Sequence, residues 1–215
     1  MGSMHHGLMK FNPKTRTISK YRHNPENIES IGENRIRALY IDQDNMLWCG
    51  SFNSGINYTD LNQKGILHYT LNTSINFIFD VLDMMEDYNK RMWLGCSNGL
   101  FYFDNVNMAF KQLNLNEKEA NKTIYKVKKI SNEEIVAISN TKVYKININT
   151  FKVSEVSSES PFKWKKLIFS YRDKTNNLWI QSDTNIFYIK EGKNVNKPKL
   201  VYHDKDLYIK RIMTD

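Results

Sequence analysis

Three aspartates stand six residues ahead of three tryptophans: Asp42 before Trp48, Asp87 before Trp93, and Asp173 before Trp179. Carboxylates at one shared position could ring a channel or hold a cation, and indoles at one shared position could stack on a sugar. A plainer chemistry fits the same spacing, since an Asp heading a tight turn accepts hydrogen bonds from the backbone of that turn. The turn reading is preferred, because the fixed distance to the Trp makes the Asp part of a repeated unit. Asp42-Gln43-Asp44-Asn45 also lacks the further acidic ligands of a calcium loop. By the same logic the Trp residues, one per unit in mid-strand, read as core.

His23, His68 and His203 fall at different points of the repeat, and no Ser, Cys or carboxylate is spaced to make a nucleophile and base with them. No phosphate loop or dinucleotide fingerprint is present. The two cysteines, Cys49 and Cys96, lie one and three residues past their Trp and so point to the face opposite it. They read as buried, unpaired thiols. The sequence therefore predicts no catalytic residue, no metal site and no cofactor.

The elements that hold these residues are set by the repeat itself. The Trp positions differ by 45 and then by 86, twice 43, which calls for a further copy near 136. Glu134-Ile135-Val136-Ala137-Ile138-Ser139 is there, with Val136 in place of Trp and Ile130 in place of Asp. A period in the forties built of short strands is a repeat architecture. Each unit holds four strands: an alternating strand ending in the Asp, an Asn-rich turn, the Trp strand, a strand after Gly55 or Gly99, and a closing strand. Glycine after the Trp strand suits a backbone of positive φ. The only helical signal is at most one turn over residues 116–121.

The predicted fold is all-β, a β-propeller of four whole four-stranded blades plus one split or incomplete. The units fall at about 7–34, 35–76, 77–119, 120–162 and 163–206, with 207–215 starting the next; residues 1–6 read as a tag remnant. Either the two ends meet in a defective fifth blade or the chain is an arc of a larger propeller. The arc is favoured, because the strand lacking from the split unit is the one that would carry the Trp.

With 215 residues the chain can bury about 70% of its unfolded surface. Its net charge of +8 would suit nucleic acid if the basic residues clustered, but Lys126, Lys128 and Lys129, and Lys163, Lys165 and Lys166, adjoin apolar residues as on the wet side of a strand. No nucleic-acid partner is expected. No apolar run approaches a membrane span and no signal peptide is evident.

The sequence resembles the two-component regulator propeller repeat, whose pattern is an alternating strand, Asp, a Gly or Asn turn, Leu-Trp-Ile-Gly-Thr, then Gly-Leu and a short strand ending in Asp. Arg35 through Asp60 and Asp80 through Asp104 match it. So does the spacer from Tyr21-Arg22-His23-Asn24-Pro25 to Ser30-Ile31 and Asn34. The third unit departs at Ile130, Val136 and Ile138, and the unit from Asp173 departs at Gln181 and Asn185. The resemblance implies the extracytoplasmic, periplasmic sensor region of a bacterial hybrid histidine kinase, answering to glycan fragments, with membrane attachment only through parts of the parent protein outside this sequence.

Propeller ligands meet the face formed by the loops that enter the first strand and join the second to the third. On that face fall Asn34, Arg35, Phe52, Asn53, Asn76 and Phe77. Asn98, Lys163, Trp164, Asp183 and Asn185 fall there too. Aromatic rings, amides and an Arg suit neutral sugars, which need stacking and directional hydrogen bonds; ordinary surface loops are the competing reading. Three functions follow: a non-catalytic sensor of an oligosaccharide that self-associates through propeller faces or edges, a lyase-type enzyme needing His with Tyr or Arg on one face, or a structural interaction module.

Overall fold

The computed structural model describes residues 1–61, 67–69, 80–104, 109–115, 122–156, 169–175, 177–181, 185–190 and 198–203. The single turn of helix expected over 116–121 and the first strand expected over 207–215 lie outside these residues. Every described element is a strand. β1 (Leu8–Asn12) and β2 (Thr17–Tyr21) form a two-stranded sheet. Four antiparallel four-stranded sheets follow, each in simple sequence order. The first blade is β3 (Ile36–Ile41), β4 (Met46–Ser51), β5 (Ile56–Asp60) and β6 (Leu67–Tyr69). The second is β7 (Val81–Glu86), β8 (Met92–Cys96), β9 (Gly99–Asp104) and β10 (Ala109–Leu113). The third is β11 (Ile124–Lys129), β12 (Glu134–Ser139), β13 (Val143–Asn147) and β14 (Val153–Val156). The fourth is β15 (Phe169–Arg172), β16 (Leu178–Gln181), β17 (Asn185–Ile189) and β18 (Lys199–His203).

The chain therefore has the propeller architecture the period demands. First strands of successive blades lie side by side, β3 against β7 and β7 against β11. The core lies between blades. Trp93, fully buried, packs with Ile124, Val127, Ile135 and Ile146 of the third blade. Trp48 packs with Met84, Met92 and Phe103 of the second. The glycine two residues after Trp48 and after Trp93 allows this approach: a Cβ on Gly50 would come within 2.7 Å of Val81, and one on Gly95 within 2.7 Å of the Ile124 carbonyl. Cys49 and Cys96 are buried free thiols on the opposite faces, Cys49 among Leu8, Ile31 and Ile36 and Cys96 among Ile56, Val81 and Leu94.

Residues 1–6 stand differently from the sequence reading, which sets them outside the fold. Met9 N donates to Met1 O at 2.8 Å, Gly2 bridges Leu8, and Ile36 N donates to Ser3 O at 2.8 Å. The first three residues are thus a third strand segment on β1. Backbone pairing decides this where composition suggests a polar, histidine-bearing tail.

Candidate functional site

Each repeated Asp is consumed by its own hairpin. Asp42 Oδ1 accepts from Asp44 N at 3.0 Å and Met46 N at 2.8 Å, and its Oδ2 accepts from Trp48 Nε1 at 2.7 Å. Asp87 does the same with Asn89 N, Arg91 N and Trp93 Nε1, the last at 2.7 Å. Asp173 does so with Thr175 N, Asn177 N and Trp179 Nε1 at 2.8 Å. Burial works to raise the Asp173 carboxyl, but the hydrogen bonds from Trp179, Asn177 and Thr175 outweigh it and hold it well below the ordinary range. The ring on the clasped indole's strand neighbour is always Tyr: Trp48 on Tyr58, Trp93 on Tyr102, Trp179 on Tyr188, with centroids 5.1, 5.4 and 4.8 Å apart. Asp and Trp are the blade's framework, and neither is presented to a ligand.

The opposite face of the first two blades carries a polar cluster. β3 has an irregularity between Ile36 and Ala38 in its pairing with β4, which leaves Arg37 as an extra residue. Bulges of this kind re-aim a side chain. Here Arg37 turns toward the loop after β4, where its guanidinium lies 4.6 Å from the centre of the Phe52 ring, and Arg35 reaches the same ring at 4.4 Å. The loop is fixed by Phe52 N donating to Arg35 O at 3.0 Å and by Asn53 N donating to Glu33 Oε2 at 2.7 Å. Glu33 also pairs with Arg35 Nε. With the Asn53 amide oriented to satisfy both its atoms, Oδ1 accepts from Arg35 at 3.0 Å and Nδ2 donates to Phe52 O at 3.0 Å. Asp80, at the head of the second blade, sits 3.7 Å from Arg37 and joins the two blades. Partial burial pushes the Asp80 carboxyl up, against the pull of Arg37 and Arg35.

Of the residues proposed from sequence, the structure brings Arg35, Phe52 and Asn53 together. Asn34 is used internally: its Oδ1 accepts from His23 N at 2.9 Å. Asn98 has its side-chain oxygen enclosed by protein, and its carbonyl accepts from Gln112 Nε2 at 3.0 Å. Asn185 is buried, with Oδ1 2.6 Å from His203 Nδ1. Asn76, Phe77, Lys163, Trp164 and Asp183 lie outside the described residues. Sequence reasoning missed Glu33, Arg37 and Asp80. One signal pointed to Asp80, which stands thirteen residues before Trp93 as Arg35 stands thirteen before Trp48. Arg37 gave none, because alternation along a regular strand would not turn it to this loop.

What the arrangement can do follows from its balance. Two guanidiniums and two carboxylates sum to no net charge, and donors alternate with acceptors around one aromatic ring. The half-exposed Arg35 and Arg37 keep this set open to solvent.

Residues 30–53, which span the cluster in the first blade, match the family model described as two component regulator propeller. A search of curated proteins gives no match. Among solved structures, the chain is similar to the extracellular domain of the hybrid two component system BT3049 from B. thetaiotaomicron, at 18% identity and a TM-score of 0.74, covering 95% of this chain and 27% of that one. It is similar to the extracellular domain of BT4673 from the same organism at 17% identity and a TM-score of 0.71, covering 87% of this chain and 25% of that one. Virginiamycin B lyase from Staphylococcus aureus superposes with a TM-score of 0.62 at 16% identity, covering 80% and 56%. The chain thus spans about a quarter of the length of the two extracellular domains.

Proposed function

We propose that this chain is a non-catalytic, extracytoplasmic sensor module of a two-component signalling protein, and that the cluster of Glu33, Arg35, Arg37, Phe52, Asn53 and Asp80 binds a neutral oligosaccharide. The observation that carries the reading is the interleaving of donors and acceptors with no net charge. A sugar hydroxyl donates and accepts at once, so a vicinal pair is matched by a guanidinium beside a carboxylate. Phe52 and the guanidiniums over it add a flat surface for a pyranose face. The repeat match over 30–53 and the similarity to extracellular domains of two component system proteins support the sensor role. Self-association through blade faces or edges belongs to the same proposal, as the means by which a ligand on a rigid propeller is read by the rest of the protein.

The lyase-type alternative would need His68 or His203 beside a Tyr or Arg on the ligand face; His203 Nδ1 is 2.6 Å from Asn185 Oδ1 on the last two strands of the fourth blade, and the His68 side chain lies outside the described residues. Calorimetry against a panel of soluble oligosaccharides tests the proposal, with Phe52→Ala and Arg35→Ala as paired variants. Binding by the native chain and a loss of about tenfold in either variant, at unchanged melting temperature, is expected from removing one good contact of about 1.4 kcal/mol. Equal binding by the native chain and both variants, or no binder at millimolar concentration, would refute it.

A further inference from the structure

The irregularity that frees Arg37 is repeated. On the first strand of each of the first three blades, pairing with the second strand skips one residue: between Ile36 and Ala38, between Val81 and Asp83, and between Ile124 and Lys126. The extra residues are Arg37, Leu82 and Tyr125, which stand eleven places before Trp48, Trp93 and Val136. The bulge is thus part of the repeat.

It has a packing use for its neighbours. Ahead of it, Ile36, Val81 and Ile124 pack back on the preceding sheet, in the cores that hold Leu8, Ile56 and Trp93. Past it, Ala38 joins the core with the second blade, and Asp83 Oδ2 accepts from Val127 N of the third at 3.0 Å. Strict alternation would set both neighbours on one face, and the extra residue reverses that. Arg37, Leu82 and Tyr125 themselves join none of the inter-blade cores.

Because β3, β7 and β11 are edge strands lying side by side, these three residues form one strip along the inner rim, at the level where Arg37 meets Phe52. The blades are tied in series at this level, Arg37 to Asp80 at 3.7 Å and Thr123 Oγ1 donating to Ser97 O at 2.8 Å. The two ends of the strip carry like chemistry. At one, the Phe52 ring lies under guanidiniums paired with carboxylates. At the other, Tyr125, 42% exposed, adjoins Lys126, which with Lys128 shares the Asp83 carboxylate at 3.6 and 3.2 Å. Leu82 is the apolar step between them.

We infer that the sugar site continues from Arg37 over Leu82 to Tyr125, and that its ligand is a chain of several neutral sugar rings, one of them stacked on Tyr125. The inference rests on the Phe52 cluster being a sugar site and adds what sets the length of the ligand. Stacked sheets lie about 10 Å apart, so two blade steps span up to about 20 Å, farther than one sugar ring reaches. The Tyr ring offers a flat apolar face to the C–H groups of a pyranose and a hydroxyl at its rim.

Calorimetry of the full chain against cello-, manno- and xylo-oligosaccharides of two and of six rings tests this. The six-ring member of whichever series binds should bind about tenfold or more tightly than its two-ring member. Tyr125→Ala should remove that preference and leave two-ring binding and the melting temperature unchanged, whereas Phe52→Ala should weaken both lengths. Tyr125→Phe keeps the ring and should keep the preference. Six-ring binding that is lost with Phe52→Ala but untouched by Tyr125→Ala would overturn the inference while leaving the Phe52 site standing, as would equal affinity for the two lengths in the native chain. Loss of the preference in Tyr125→Phe would overturn the stacking. No binding at either length would sink the Phe52 site and this extension together.

Discussion

The clasp between Asp and the indole six residues on makes a quantitative claim at Asp87. This carboxylate is fully buried and accepts from Asn89 N at 2.8 Å, Arg91 N at 2.9 Å and Trp93 Nε1 at 2.7 Å. Asp87→Ala orphans all three donors. The indole N–H belongs to a ring with no exposure and cannot reach water, so its loss costs about 1–3 kcal/mol. The two turn amides border exposed Tyr88 and can be rehydrated, at about 0.5–1 kcal/mol each. The total of about 2–5 kcal/mol is a large share of a typical 5–15 kcal/mol stability. Asp42→Ala removes the same three kinds of bond around a half-buried Trp48 and should cost about 2 kcal/mol. Urea unfolding followed by far-ultraviolet circular dichroism measures both. A double-mutant cycle of Asp87→Ala with Trp93→Phe isolates the indole bond and should give a coupling of about 1–2 kcal/mol. If Asp87→Ala costs no more than Asp42→Ala, or the coupling is below about 0.3 kcal/mol, the clasp is not what holds the hairpin.

Gly95→Ala should destabilise by about 2 kcal/mol or more, because the new Cβ meets a backbone oxygen of the third blade at 2.7 Å and cannot be relieved by a rotamer change; denaturant midpoints decide, and a loss under 0.5 kcal/mol counts against close blade packing at this glycine. Burial pushes the Cys49 thiol up to about 12 and Cys96 well above its ordinary value, so neither should react with an aromatic disulfide reagent at pH 8 until urea unfolds the chain; rapid labelling in the native state would contradict their placement. For Asp173 the folded-state pKa is depressed, so its contribution is complete above the unfolded value near pH 4 and drains as pH falls toward the folded value. Melting temperatures between pH 6 and 3 should therefore fall less steeply in Asp173→Asn than in the native chain, and superimposable curves would remove the assignment.

The fold was legible because the Trp is a ruler: three copies and one degenerate copy set the period, and β9 falls where a strand after Gly99 is expected. The bond from Trp Nε1 to Asp was not legible. Six residues of separation show that the two belong together, but only strand register places Trp48 opposite Tyr40 and folds its ring back over the turn. The site was legible by half. Loop positions announce Arg35, Phe52 and Asn53, whereas Arg37 depends on a break in pairing that alternation hides. Gly2 was hidden for another reason: a Cβ there would come within 2.7 Å of Ile36 in the first blade, but in a short polar stretch it looks like any other glycine.

The third blade shows why the framework and the site can be separated. Its copy of the triad is Ile130, Val136 and Lys145 in place of Asp, Trp and Tyr, all three changed together. Val136 without a polar edge needs no acceptor, Ile130 is buried with it, and the turn is held instead by Ser131 Oγ, which accepts from Glu134 N at 3.1 Å. Lys145 turns to Glu134 at 3.0 Å. An indole therefore goes with its acceptor, because a buried Trp edge without the Asp would leave a polar group without a partner. The loop positions carry no such linkage. Thirteen residues before the Trp position stand Arg35, Asp80 and Thr123, and four after it stand Phe52, Ser97 and Asn140. Backbone bonds such as Phe52 N to Arg35 O and Ser97 N to Asp80 O, both 3.0 Å, hold those loops whatever side chain they bear. Chemistry can vary there while the backbone bonds stay, and at the first two blades it is a ring, two guanidiniums open to solvent and two mostly buried carboxylates.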